Sequence, residues 1–309
     1  MGNASPSDRK REQLLDFTMS QLAQHEAVRG VVATGSVALG LAREGDATVP
    51  GSDIDAVVFM EPLDPYLLPA EFVWRRADNT YHSIISDDPE LDRVGVQFDL
   101  DRFDLAIWRS ADFIWPEPRR AELADGWIAY DPTGEIAALI KARTMMPDVD
   151  RLAILDQTIG QAIAVIPNGD AELHWQKLGG PEAFDRLQAG YQELTRAIFA
   201  YHGKWRPWRS RELRGLQNLE WLPQGFTNNV PSLIATDGHD FAAYSRRAAA
   251  LRSALEELVS RLQTDRIYGD DPDGESFVRL HDEPGRAWNM DEWNAEHARR
   301  FTKITGDHP

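Results

Sequence analysis

The spacing of apolar residues changes near the middle of the chain, from a mixture of strand and helix patterns to an almost purely helical one. Apolar residues recur every three or four positions from residue 8 to about residue 26, which predicts an amphipathic helix with Asp8 as its N-cap. Short apolar runs bounded by Gly, Pro and acidic residues predict strands. They lie at residues 31–34, 53–60, 94–100, 102–108 and 127–130, and the runs at 94–100 and 102–108 could form one long bent strand. Helices are predicted at residues 37–43 and 135–143.

From residue 151 onward the pattern is helical. The longest uninterrupted helix is predicted at residues 240–265, and a last amphipathic helix at residues 290–301. Between them, residues 268–284 are rich in Asp, Gly and Pro and predict a loop. The whole pattern predicts an α+β protein, in which an α/β domain with a small mixed sheet (residues 1–145) precedes an α-helical domain (residues 146–309).

Composition narrows the class of protein. The chain has 309 residues, of which 42% are hydrophobic and 27% charged, as is typical of globular proteins. No apolar run approaches the roughly 18 residues of a membrane span, and the polar first residues do not resemble a signal peptide, so we expect a soluble, cytoplasmic protein. The absence of cysteine excludes disulfides, thiolate metal sites and cysteine nucleophiles.

The formal net charge is −17. Binding to long nucleic acids depends on Lys and Arg side chains that neutralise phosphates, so a nucleic-acid substrate is not expected. The acidity would instead attract a small cationic partner such as a polyamine or an aminosugar, although it also serves solubility.

Two carboxylates meet on one predicted strand, in the sequence Gly51-Ser52-Asp53-Ile54-Asp55. Side chains alternate between the faces of a strand, so Asp53 and Asp55 project from the same side. Like charges this close repel unless a cation lies between them, and carboxylate oxygens are the hard ligands that Mg²⁺ prefers. The pair therefore predicts a metal site.

A predicted strand-to-helix turn at Gly35-Ser36 precedes this pair. Glycine allows a close approach of the backbone, the N-terminus of a helix carries partial positive charge, and the serine hydroxyl adds a donor. These features suit a phosphate group beside the metal. A third carboxylate on a neighbouring strand would complete a site for two metal ions. Asp104 is preferred because it lies in an apolar run, Asp99 is the next choice, and Asp101 beside Arg102 is the third.

The order Gly35-Ser36, Asp53-Ile54-Asp55 and a later hydrophobic-Asp-hydrophobic strand resembles the signature of the DNA polymerase beta-type nucleotidyltransferase superfamily. Within it, an αβ domain followed by a helical domain resembles bacterial adenylyltransferases that modify aminoglycoside or lincosamide antibiotics, and their uncharacterised relatives. The resemblance implies that Asp53, Asp55 and Asp104 bind two Mg²⁺ ions and that Gly35 and Ser36 hold the triphosphate of ATP. AMP would then pass to a hydroxyl of the acceptor as pyrophosphate leaves. The interval from Ser36 to Asp53 is longer than is usual in the family.

The helical half contains a concentrated aromatic and basic stretch, Lys204-Trp205-Arg206-Pro207-Trp208. Lys204 or Arg206 could bind the triphosphate, while packing at a helix end explains the same residues equally. Glu193 is a candidate general base for the acceptor hydroxyl.

Two other functions fit the same residues. The chain could be a nucleotide-binding regulator or antitoxin without transfer activity, or a transferase that attaches AMP to a protein side chain. The sequence leaves open the acceptor, the preferred nucleotide and the oligomeric state.

Overall fold

The computed structural model describes residues 4–45, 51–84, 95–224, 226, 233 and 238–281. The chain divides into two compact units, Met1–Met145 and Met146–Pro309. Within the described residues, the first contains a single mixed sheet with helices and the second is helical, so the predicted α+β class is confirmed. Among the described residues, no helix combines the length and the apolar character that a membrane crossing requires.

In the part of the chain that the structure describes, the sheet of the first unit has six strands in the order β4-β3-β5-β2-β1-β6. The strands are β1 Val28–Ala33, β2 Ile54–Met60, β3 Glu71–Arg75, β4 Thr80–Ser83, β5 Val96–Asp104 and β6 Trp127–Tyr130. The central pair, β2 and β5, is parallel, and the other neighbours are antiparallel. Both central strands therefore end at the same edge of the sheet, and both begin at the opposite edge.

Helices cover both faces of this sheet. Those in the described residues are α1 Pro6–Phe17, α2 Gly35–Ala38, α3 Leu105–Arg109, α4 Glu117–Ala124 and α5 Glu135–Thr144, and α1 continues as a π-helical turn over Thr18–Leu22. Leu14 and Phe17 of α1 pack on the face that carries Ile54, whereas Trp108 and Ile136 pack on the face that carries Val57. Alternation along β2 thus supplies two separate apolar cores.

The predicted start of α1 was three residues late. Ser5 is the N-cap, Pro6 occupies the first turn, and Asp8 completes a capping box with Ser5. Each of the two side chains accepts a hydrogen bond from the other's backbone N–H. The predicted helix at residues 37–43 is also corrected, because α2 covers only Gly35–Ala38.

The predicted strand at residues 102–108 is wrong in its second half. β5 ends at Asp104, whose side chain accepts a hydrogen bond from the backbone N–H of Ala106 and caps α3. Leu105 and Trp108, three residues apart, are then both buried on one side of that helix. The sequence interpretation also missed β3 and β4.

The helices whose full bounds are described in the second unit are α6 Asp148–Val165, α7 Ala171–Leu178, α8 Gly180–Tyr201, α9 Arg209–Gln217, α10 Phe241–Thr264 and α11 Pro272–His281. The predicted long helix at residues 240–265 is confirmed as α10 with Asp240 as its N-cap. The predicted loop at residues 268–284 is corrected, because α11 forms within it. The predicted helix at residues 290–301 lies outside the described residues.

Candidate active site

Three carboxylates cluster where β2 and β5 run side by side. In the parallel register of these strands Asp55 lies opposite Asp99, so both side chains project from the same face. Asp53, two residues before Asp55, projects from that face as well. A carboxylate oxygen of each lies within 4.8 Å of the others, and all three side chains are half-buried. This spacing allows the three groups to hold a single cation.

The electrostatic environment of Asp99 is unfavourable for an isolated carboxylate. Partial burial raises the pKa of Asp99, and the charges of Asp53, Glu71 and Asp101 raise it further. A hydrogen bond of 3.3 Å donated by the Gln97 amide to Oδ1 of Asp99 acts in the opposite direction. The ionised form of Asp99 therefore gains from a positive charge placed between it and its neighbours.

The turn at Gly35-Ser36 lies beside this cluster. β1 pairs with β2 up to Ala33 opposite Ala56, and the N–H of Thr34 then donates to the carbonyl oxygen of Asp55 at 2.9 Å. Gly35 follows with a φ of +59°, in the left-handed region that favours glycine, and opens the short helix α2 against β2. Ser36 is buried. The backbone hydrogen bond from Thr34 to Asp55 thus places the start of this turn next to the strand that carries Asp55.

The preferred third carboxylate, Asp104, is not part of this cluster. It lies opposite Met60 at the far end of the paired strands, five positions from Asp99. That spacing is about 16 Å along a strand, and an odd number of residues turns the side chain to the other face. Its carboxylate instead caps α3. Asp99, the second choice from sequence, is the third carboxylate of the cluster in place of Asp104.

The third choice, Asp101, has a different partner. Its carboxylate forms an ion pair of 2.6 Å with Arg119 of α4, whose guanidinium also lies over the ring of Phe103. A carboxylate held in this way is directed toward α4. It still contributes negative charge near Asp99.

Lys204, Arg206 and Glu193 all belong to the second unit. Lys204 is exposed after the end of α8. The Nε of Arg206 donates to Oε2 of the buried Glu212 at 2.6 Å, and its Nη2 contacts both Gln192 and the same carboxylate. Glu193 is half-buried on α8, and its Oε2 has no hydrogen-bond partner among the described residues. The roles suggested for these three residues stay predictions.

Glu71 is an acidic neighbour that the sequence interpretation did not consider. In the antiparallel register of β3 and β5 it lies opposite Asp99, and its charge raises the pKa of that residue. Three buried residues in succession, Phe72 to Trp74, hide the alternation by which β3 could have been recognised. Their aromatic and β-branched composition was the remaining signal.

Comparisons with known proteins give little beyond the geometry. No family model matches this chain, and no curated protein matches it. Among solved structures, the chain is similar to a nucleotidyltransferase-like protein from Exiguobacterium sibiricum 255-15, with 13% sequence identity and a TM-score of 0.40. The match covers 95% of this chain and 90% of that one.

Proposed function

We propose that this chain is a metal-dependent nucleotidyltransferase, which transfers a nucleoside monophosphate from a nucleoside triphosphate to a hydroxyl group. The observation that carries the proposal is the cluster of Asp53, Asp55 and Asp99 on two adjacent strands, next to the glycine turn at Gly35-Ser36. A divalent cation and a polyphosphate are the ligands that this combination suits.

The three carboxylates fit a Mg²⁺ ion by their chemistry and spacing. Each offers a hard oxygen ligand, and the ligand atoms lie close enough together to share one ion. The hydrogen-bonded pairing of β2 and β5 fixes the separation of Asp55 and Asp99 in advance. Asp53, Asp55 and Asp99 would hold the ion, and the same reasoning allows a second ion beside it, as in other two-metal sites.

The chemistry is an in-line displacement at the α-phosphorus of the triphosphate. A bound Mg²⁺ ion supplies charge stabilisation for the reacting phosphate oxygens. The acceptor oxygen forms the new bond to phosphorus, the bond to the β-phosphate oxygen breaks, and pyrophosphate leaves while the hydroxyl proton passes to a base. The three carboxylates would hold the metal ion beside the triphosphate, and the Gly35-Ser36 turn would let the phosphates approach the backbone closely.

ATP is the proposed donor and a small cationic molecule the proposed acceptor, with aminoglycoside-like antibiotics as one candidate group. The support for a cationic acceptor is the net charge of −17 together with the extra acidic side chains of Glu71 and Asp101 near the cluster. A resistance activity would follow from such an acceptor.

The test is a transfer assay with each of the four ribonucleoside triphosphates labelled at the α-phosphate. The purified chain is incubated with Mg²⁺ and panels of aminosugars, lincosamides and cell lysate, and labelled product and pyrophosphate are both measured. We expect label in a small molecule, loss of transfer with a chelator, and loss of transfer in Asp53→Asn and Asp55→Asn. Label in a protein would move the acceptor to a side chain, whereas triphosphate binding without pyrophosphate release in every mixture would identify a regulator instead.

A further inference from the structure

The first turns of α1 line the segment that follows the glycine turn. Ser7 and Leu14 are both buried, and the Oγ of Ser7 accepts a hydrogen bond of 3.0 Å from the N–H of Ala42. Lys10 lies three residues after Ser7 and four before Leu14, so it belongs to the same face of the helix. Its side chain is only partly exposed. Lys10 is therefore placed toward the part of the chain that joins α2 to β2.

The neighbouring cations of α1 already have partners. The Nε of Arg9 donates to Oε1 of Glu44 at 2.8 Å, and a nitrogen of Arg11 donates to the carbonyl oxygen of Ala38 at 2.6 Å. Lys10 makes no hydrogen bond or ion pair within the part of the chain that the structure describes. Lys10, the partly buried middle residue of these three, is therefore available to a ligand.

The charges around Lys10 connect it to the carboxylate cluster. Burial lowers the pKa of Lys10, while the nearby carboxylates of Glu44 and Asp53 act to raise it. Asp53 is one of the three proposed metal ligands and immediately precedes β2, so the charge of Lys10 acts at the end of the cluster where β2 begins. It does not approach Asp53 closely enough to form an ion pair, and it therefore does not act as a simple counter-ion of that residue.

We propose that Lys10 binds the triphosphate of the substrate and contributes the cationic side chain of the phosphate site. This inference rests on the proposed function. A triphosphate brought beside three carboxylates needs positive charge from the protein as well as from the metal, and a partly desolvated ammonium binds phosphate oxygens strongly. Lysine suits this task because its compact charge can reach phosphate oxygens from a flexible stem.

The test compares Lys10→Met with Arg9→Met, because both variants lose one positive charge from neighbouring positions of α1. Mn²⁺ binding is measured without nucleotide, and binding of inorganic tripolyphosphate and of ATP is then measured in Mg²⁺. We expect Lys10→Met to weaken both phosphate ligands by at least about tenfold, as for a lost charge-assisted hydrogen bond. Mn²⁺ binding should stay the same or tighten, since a repelling charge is removed. Lys10→Arg should retain most of the phosphate affinity.

The outcomes separate this inference from the function on which it rests. If the wild-type chain binds tripolyphosphate and Lys10→Met weakens it no more than Arg9→Met does, Lys10 is not a phosphate ligand and the proposed function stands. If the wild-type chain binds neither Mn²⁺ nor a triphosphate, both proposals fall. Thermal unfolding of each variant shows whether a weakened affinity reflects a damaged fold. Phosphate affinity that is lost in Lys10→Met but retained in Lys10→Arg shows that the positive charge is what binds the phosphate.

Discussion

At the scale of single residues, the carboxylates around Asp99 favour the binding of a cation at the expense of the stability of the metal-free fold. Asp99 has Asp55 beside it on one neighbouring strand and Glu71 on the other, so three adjacent strands each bring a carboxylate to one row. Repulsion between such groups disfavours the folded chain when no cation is bound. Removing one charge should therefore affect binding and stability in opposite directions.

Replacing Asp99 with Asn tests this expectation. We expect Asp99→Asn to weaken Mn²⁺ binding by at least about a hundredfold, measured by calorimetry or electron paramagnetic resonance. Even the mutation of a residue that only supports a metal ligand can reduce metal affinity by about a hundredfold. The metal-free variant should unfold at the same temperature as the wild type or a higher one, since a repelling charge is gone.

Asp104→Asn is the matched control for this variant. It changes the same residue type on the same strand, and Asn can still cap α3. Mn²⁺ affinity should equal that of the wild type. If Asp104→Asn lost the metal and Asp99→Asn kept it, the cluster on β2 and β5 would not be the metal site.

His202 gives the second unit a predictable response to acid. Its ring is half-buried, and Nε2 donates a hydrogen bond of 2.7 Å to the carbonyl oxygen of Trp221. Burial lowers the pKa of His202 below its ordinary value of 6.5, assisted by the charges of Lys204 and Arg151 and opposed by the Trp221 carbonyl and Glu220. As the pH falls below 6.5, the unfolded chain takes up a proton at this position and the folded chain does not, so stability decreases.

The variant His202→Gln should reduce this acid sensitivity. Glutamine can still donate to the Trp221 carbonyl but has no charge to gain. We expect the fall in unfolding temperature between about pH 7.5 and pH 5.5 to be smaller in His202→Gln than in the wild type. Equal losses in both proteins, or an NMR titration that places His202 above 6.5, would contradict the expected direction.

At the scale of elements, periodicity was a good guide where one face of an element is buried throughout. α10 was predicted almost to the residue because its apolar stripe is continuous and Asp240 caps it. The boundary between β5 and α3 was missed because Asp104 is both the last residue of a strand and the cap of a helix. α11 was missed because Asp, Gly and Pro in its first turn are residues typical of loops as well as of helix starts.

What holds α11 is a buried charged network that sequence patterns do not reveal. Arg279 donates from two nitrogens to the two oxygens of Asp156 on α6, each at 2.7 Å, and the hydroxyl of Tyr268 donates to the same carboxylate. Glu275 is fully buried and accepts from the N–H of Gly269. Asp156 and Arg279 are far apart in sequence, so their pairing depends on tertiary packing.

Breaking this network should be costly. We expect Arg279→Met to lower the free energy of unfolding by about 3–5 kcal/mol, because it leaves the Asp156 charge buried without its cation. Urea unfolding followed by circular dichroism measures the loss. The double variant with Asp156→Asn should recover part of it, because Asn can still bind the Tyr268 hydroxyl and carries no charge. A loss below about 1 kcal/mol, the size of an exposed ion pair, would contradict the structural role of the network.

At the scale of the whole molecule, the candidate site depends partly on the order of residues along one strand and partly on how separate strands pair. Only the first can be predicted from the sequence. Alternation along one strand was enough to bring Asp53 and Asp55 together, and the glycine of a strand-to-helix turn was visible in the sequence. The third carboxylate depends on the register between β2 and β5, which are joined through β3 and β4. A strand's register is set by its tertiary partners, so the choice between Asp99 and Asp104 could not be made from sequence.

The division into two units gives the last prediction. Asp53, Asp55, Asp99, the glycine turn and Lys10 all lie in Met1–Met145, which also contains two apolar cores on the faces of its own sheet. A unit with its own cores can fold alone. We therefore expect a fragment of residues 1–145 to unfold cooperatively and to bind Mn²⁺ with the affinity of the full chain, and to lose that affinity on Asp99→Asn. A folded fragment that binds no Mn²⁺, where the full chain does, would contradict the placement of all the metal ligands within residues 1–145.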